Sequence, residues 1–215
     1  MSLRIVLRAE GPGETRGALS LPPAPGSVLS EDGLGPGHLL VRRVAEVARG
    51  VPAEAIAFLA PLRSGRGLVV RGSMLLERTT LRQLLTWPSA ERRPDVAIVL
   101  VDADGAPANR RALLESYVVG ITLPTVLAIA VQEFESWLIS DQPALNAAAG
   151  ASTPRPPRVE DMKPREAKTL LAGLLANHED AHGARCGLAR TLDLEVLGRE
   201  SASFARFVAD LRSSC

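Results

Sequence analysis

The sequence predicts an α/β fold: a parallel four-stranded sheet flanked by helices, followed by a C-terminal helical extension. Three observations carry this. Four short apolar runs alternate with stretches of helical periodicity, the pattern of a parallel sheet with helices on both faces. The third run, Val96 to Val101 within DVAIVLVDADG, is continuously apolar, as expected of a central strand covered on both sides. After Ser140 the character changes to a Pro-rich connection and amphipathic helices.

The first strand is Leu3 to Ala9 (LRIVLRA), rich in branched residues. It stops at EGPGETRG, where Gly and Pro exclude further strand or helix. From Glu10 to Gly37 the chain carries many Gly and Pro and little periodicity, and loops of that length inside a domain are usually functional or mobile. A helix over His38 to Arg49 places Leu39, Leu40, Val44 and Val47 at helical spacing, and Gly50 ends it. Ala55 to Leu62 (AIAFLAPL) reads as a second buried strand, RSGRG as a loop, and Ser73 as the cap of a helix running to Thr86 before Pro88. The central strand follows and terminates in Asp102-Ala103-Asp104-Gly105. A helix from Ala108 to Tyr117, a fourth strand from Thr125 to Val131 and a helix in EFESWLIS complete the alternation. Beyond it, Gly150 to Pro164 is a Pro-rich connection, REAKTLLAGLLANH an amphipathic helix, and Glu200 to Arg212 another, with Phe204, Phe207, Val208 and Leu211 on one face.

The 215 residues suffice for one sizeable core, divided here into an α/β domain over 1–140 and a helical extension over 141–215 packed on it. A hydrophobic fraction of 46% with 23% charged residues is ordinary for a globular chain, and 3% aromatics leave the core to Leu, Val, Ala and Ile. Two cysteines, Cys186 and Cys215, argue against a disulfide framework and for a reducing, cytoplasmic setting. The N-terminal apolar run is too short and too charged for a signal peptide, and no stretch reaches the length of a membrane span. The net charge of +1 argues neither for nor against a nucleic-acid partner. Nearly all basic residues are Arg, which suits bidentate phosphate contacts, but they are scattered and form no stripe, so GC-rich codon usage accounts for them more simply.

In an open parallel sheet, ligands bind outside the carboxyl ends of the strands. Here strand one ends in Glu10, with Glu14 four residues on; strand three ends in Asp102 and Asp104; strand four ends in Glu133 and Glu135. Clustered carboxylates repel unless a cation neutralises them, and hard oxygen donors suit Mg2+ or Mn2+. Each acid alone has a plainer reading. A DxDG is common in turns, EGPGE can be a solvated loop, and Glu133 and Glu135 can be first-turn helix residues favoured by the macrodipole. Independent turns would not place acids at three strand ends, so the combination points to a metal site.

A strand ending in EG, a later apolar strand ending in DxD and the alternation between them resemble the Toprim domain of topoisomerases, DnaG-type primases, OLD-family nucleases and RloB-like proteins, a Rossmann-like arrangement. The segment AVQEFESWLIS is similar to the QEFExWLL segment of a Toprim-like bacterial family catalogued as domain of unknown function 4276, often associated with ATPase partners in phage defence. VDADG and QEFESWL, in that order and spacing, are the specific part. The resemblance implies catalytic roles for Glu10, Asp102 and Asp104. Glu10 would be metal ligand or general base, and Asp102 and Asp104 would hold Mg2+. Glu14 and Glu135, with Glu133 as alternate, would complete a second metal site. Two metals about 4 Å apart would clamp the attacking and leaving oxygens of a phosphodiester. One departure stands out: the Pro-rich stretch after Glu14 lacks the early helix the resemblance calls for.

Arg63 and Arg66 of RSGRG, together with Lys163, are the candidate phosphate contacts, although RSGRG lacks the Walker signature. Lys163, Arg165 and Lys168 also read as a solvated helix face. His178, His182 and Cys186 fall at i, i+4 and i+8, but Gly183 weakens that helix and no fourth zinc ligand is evident. The expected function is Mg2+-dependent (or Mn2+-dependent) phosphodiester hydrolysis on a nucleic acid, coupled to an ATPase partner. The alternative is a catalytically degenerate module that binds or signals through a partner protein, and a phosphorylated small molecule at the same rim is a third reading.

Overall fold

The structure is a computed structural model that describes residues 2–15, 23–63, 70 and 72–214. Among these, the strands β1 (Leu3–Ala9), β2 (Ile56–Phe58), β3 (Val96–Asp102) and β4 (Thr125–Ala130) form one all-parallel sheet in the order β2-β1-β3-β4. The helices in chain order are α1 (Pro12–Thr15), α2 (Pro36–Arg49), α3 (Arg78–Leu85), α4 (Pro107–Val118), α5 (Glu135–Leu138), α6 (Gln142–Ala149), α7 (Glu166–Leu174), α8 (Ala181–Thr191), α9 (Leu194–Glu200) and α10 (Ala202–Ser213). The α/β prediction of a parallel four-stranded sheet with flanking helices and a C-terminal helix is the observed architecture, a Rossmann-like one.

Strand alternation sorts the core into two layers. Ile5 and Leu7 of β1, Ile98 and Leu100 of β3, and Val126 and Ala128 of β4 face α2 and the C-terminal helices. Val6, Ala97, Val99, Val101, Leu127 and Ile129 face Leu81 and Leu85 of α3 and Leu114 of α4. β3 is thus buried on both faces, as its unbroken apolar run required. The C-terminal helices belong to the first layer: Leu188, Leu197, Phe204, Phe207 and Leu211 share one cluster with β1, β3 and α2. Trp137 of α5 lies at its centre, stacked on Phe207 at 5.9 Å and edge-on to Phe204 at 5.3 Å.

Three elements differ from the sequence reading. β2 spans three residues rather than Ala55 to Leu62, because residues 26–29 take over the pairing beyond it: Leu29 N–H donates to Phe58 O and Ala60 N–H to Ser27 O, each at 2.8 Å. That irregular strap satisfies the edge that an open sheet leaves exposed. Ser73 does not cap a helix; Gly72–Leu76 is a 3-10 segment, and α3 begins after Glu77. EGPGE does contain a helical turn, α1. Proline opens it, where its missing N–H costs nothing, and Gly37 admits its close approach to α2, since a Cβ there would lie 2.8 Å from Glu14 O.

The arginines have structural work that the sequence does not reveal. Arg8, buried in β1, donates to Leu84 O at the end of α3 and to Leu62 O. Arg82 binds Tyr117 O and Val119 O at the end of α4. Arg43 binds Leu192 O at the end of α8, and Arg49 binds Leu211 O and Ser214 O at the end of α10. Each guanidinium satisfies carbonyls that a helix C-terminus leaves without partners, at the negative end of its dipole. No helix among the described residues is long and apolar enough to cross a membrane.

Candidate metal centre

The register places Ala9 beside Leu100 and Asp102 beside Ala130, so the carboxyl ends of β1, β3 and β4 form one rim. Glu10 and Asp102 are tied together there. Asp102 N–H donates to Glu10 Oε2 at 3.1 Å, and Phe134 N–H donates to Asp102 Oδ1 at 2.9 Å. In each carboxylate one oxygen is oriented by backbone and the other lies outside these bonds, the kind of support that fixes a ligand's direction.

Glu14 comes to the same place through α1. Its residue is only 4% exposed, and Oε2 is buried without a hydrogen-bond partner. The turn folds its carboxylate over Gly11, where a Cβ would lie 2.4 Å from Oε2, so a larger residue there would displace the Glu14 carboxylate. Burial is the main cause that raises the proton affinity of Glu14, the charges of Glu135 and Glu10 add to it, and a backbone hydrogen bond and the Lys168 charge oppose it. Burial likewise pushes Asp102 up to about 7, with Glu14, Glu10 and Glu135 contributing. Four carboxylates from three strand ends therefore feel one another.

Glu135, 2% exposed, sits at the first position of α5, and its Oε2 also lacks a hydrogen bond. It is not without cations. Arg185 Nη1 of α8 lies 3.3 Å from Glu135 Oε1, and Lys168 Nζ of α7 lies 3.9 Å from Oε2. Glu133 is buried next to it, held by Lys168 N–H at 2.8 Å and faced by Lys168 Nζ at 3.8 Å.

Not every predicted residue joins this group. Asp104 turns outward: its backbone is left-handed (φ 49°), as is that of Gly105 (φ 82°), and its carboxylate pairs with Arg110 at 3.0 Å in solvent. The two positive-φ residues reverse the chain after β3, a geometry Asp tolerates better than most side chains. Lys163 is exposed, its N–H donating to Glu166 Oε2 at the start of α7. Arg63 donates to Pro23 O at 3.0 Å, and Arg66 lies outside the described residues. His38, in contrast, is a core residue. Buried against Phe58, it is pushed down to about 3 by desolvation, and its Nδ1 accepts Gly35 N–H. His182 and Cys186 approach to 3.6 Å on α8, while His178 precedes that helix.

The donor chemistry fits a hard divalent ion: oxygens only, with two buried carboxylate oxygens unsatisfied. As the chain stands, no three or more Asp, Glu, His or Cys among the described residues are gathered tightly enough to enclose an ion. Glu10, Glu14 and Asp102 have no cationic side chain bound to them by an ion pair among the described residues, whereas Glu133, Glu135 and Asp104 do.

Sequence reasoning missed Arg185, and it set Lys168 aside as a solvated face. Neither has a local signal, because Lys168 meets acids 33 and 35 positions away and Arg185 meets one 50 positions away. Compared with protein families, curated proteins and solved structures, the chain matches none.

Proposed function

We propose that this chain is a Toprim-type, metal-dependent phosphodiesterase acting on a nucleic acid, related to the family of domain of unknown function 4276. The single observation that supports it most is the buried Glu14 carboxylate with an unsatisfied oxygen, beside Asp102 and Glu10 at the carboxyl rim of a parallel sheet. Burying carboxylates that raise one another's proton affinity costs stability, and such a cost is typical of a site that binds a cation or moves a proton.

Glu10 and Asp102 would hold Mg2+ or Mn2+ through the oxygens left outside their backbone bonds. An ion held there supplies Lewis-acid polarisation of a phosphoryl oxygen. Glu14 Oε2, with raised proton affinity, is suited to take the proton of an attacking water. The shell of Phe134, Trp137 and Leu138 behind the rim excludes solvent from one side and holds α5 rigid. An ATPase partner and a role in phage defence follow from the resemblance of QEFESWL alone.

A second reading, a catalytically degenerate module that signals through a partner, is favoured by one observation: Asp104 is turned away and paired with Arg110. Nicking of supercoiled plasmid in Mg2+ or Mn2+ separates the two. The nuclease reading predicts nicking by the wild type and a loss of at least about a hundredfold in Asp102→Ala, the scale of a lost electrostatic group. Equal cleavage by both proteins, or none by either, would leave only the binding reading.

A further inference from the structure

β4 is an end strand of the sheet, so its outer side meets no other strand among the described residues. The register fixes which backbone groups lie there. Ala97 N–H donates to Pro124 O and Ala103 N–H to Ala130 O, so the even-numbered residues of β4 bond toward β3. The N–H and C=O groups of Thr125, Leu127 and Ile129 therefore point outward. Among the described residues, the hydrogen bond made to these groups comes from a side chain: Arg111 Nη2 donates to Leu127 O at 3.2 Å. An unpaired edge of this kind is a template for another strand.

The edge lies between two helical walls, α10 on one face of the sheet and α4 on the other. Cavities of about 280 and 290 Å³ run along it, the first lined by Thr125 and Leu127 and the second by Ile129 and Val131, with Arg111 and Arg206 lining both. The walls carry the same charge pattern. On α4, Arg111 and Glu115 lie one turn apart at 3.6 Å; on α10, Arg206 and Asp210 lie one turn apart at 2.8 Å. Arg111 also reaches Asp210 across the edge at 2.8 Å. Of the twelve residues of α4 only Leu114 is fully buried, which leaves most of that helix free to meet a further element.

We infer that the outer edge of β4 pairs with the same edge of a second copy of this chain, antiparallel about a two-fold axis at Leu127. Two N–H···O bonds then join Leu127 to its copy, and Thr125 of each chain faces Ile129 of the other. Two four-stranded sheets become one continuous sheet. The rotation that reverses the strand also reverses the helices, so α4 meets α4 and α10 meets α10 antiparallel. An Arg followed by an acid four residues later is self-complementary under that rotation. Arg111 comes to face Glu115 of the second copy, and Arg206 its Asp210. In the single chain Arg111 occupies the place on Leu127 O that the second copy's Leu127 N–H takes. The balance of two arginines and two acids along the edge favours a second copy over a partner of one charge sign. This inference does not depend on the metal reading.

Sedimentation velocity of the full chain tests it, on wild type, Thr125→Pro, Arg206→Asp, Asp210→Arg and an equal mixture of the last two, with thermal melts to establish that each is folded. Thr125→Pro removes an outward N–H at the first residue of an edge strand, where proline is tolerated, and breaks no backbone bond of the single chain. Arg206→Asp and Asp210→Arg each set like charges against their own copy, whereas the mixture sets Asp against Arg. The wild type is expected to be dimeric at about 100 μM, a concentration that fills a dimer of micromolar Kd. The dimer Kd rises about tenfold or more in each single variant and returns toward the wild-type value in the mixture. Thr125→Pro and Arg206→Asp decide the matter if Asp210→Arg, which also loses its bond from Arg111, does not fold. A wild type that is monomeric at that concentration overturns the inference, as does a dimer unchanged in Thr125→Pro and Arg206→Asp. A mixture of folded variants that stays monomeric overturns the two-fold arrangement.

Discussion

At the scale of single residues, the site is defined by what its carboxylates lack. Asp102 accepts one backbone N–H, yet burial and three neighbouring acids push it up to about 7. Its folded value lies above its unfolded one, so the folded state holds the proton more tightly, and stability falls as pH rises from about 4 to 7. Asp102→Asn keeps the acceptor for Phe134 N–H and removes the charge. In the absence of divalent ions the variant should be more stable than wild type at pH 8, by roughly 2 kcal/mol, and no more stable at pH 4. Urea melts at the two pH values read this directly, and a variant less stable than wild type at pH 8 would contradict it. The acids themselves were legible, because Glu10, Asp102, Glu133 and Glu135 all sit where apolar strands end. Asp104 was not. Whether the second Asp of a DxDG turns in or out depends on a backbone φ that no local pattern of residue types fixes.

At the scale of elements, strand β1 and both ends of β3 could be placed from the sequence within a residue, since six apolar residues in a row in β3 and five apolar residues among the seven of β1 leave little choice. β2 could not. Its apolar run continues to Leu62, but a strap from residues 26–29 pairs with the chain where a longer parallel strand would have been, and such long-range competition has no local signature. The arginines belong to this scale too. Their scatter is uninformative in sequence, yet Arg8, Arg43, Arg49 and Arg82 each close the C-terminus of a helix in another part of the chain. Removing such a cap leaves carbonyls unpaired, so Arg82→Ala should lower unfolding free energy by about 1–2 kcal/mol, whereas Arg78→Ala, at an exposed position, should stay within about 0.5 kcal/mol. Denaturant titration of the pair checks this, and equal effects would mean that the guanidinium contacts contribute little. The same usage explains how a chain with 25 basic residues has no basic stripe in sequence.

At the scale of the whole molecule, the helical extension and the sheet share one hydrophobic layer, joined through Trp137, Phe204 and Phe207. α5 connects that layer to the rim, since Glu135 and Trp137 lie on the same four-residue helix. Arg185 and Lys168 reach the acids from the extension, so charge balance at the rim depends on residues from both halves of the sequence. The amphipathic pattern shows that these helices pack, but their partners are set by contacts dozens of residues apart.

The central claim is that Glu10 and Asp102 hold a divalent ion beside the buried Glu14 carboxylate, and calorimetric melting with and without Mn2+ tests it most directly. With Mn2+ at a hundred times its dissociation constant, the wild type should gain about 2.7 kcal/mol, an upward shift in Tm of roughly 5–10 °C. Glu14→Gln, which removes a buried charge beside the ion, should melt higher than wild type without metal, whereas Asp102→Ala, which removes a ligand, should gain little from Mn2+. A wild-type Tm indifferent to Mn2+, or a full shift surviving in Asp102→Ala, would contradict the account.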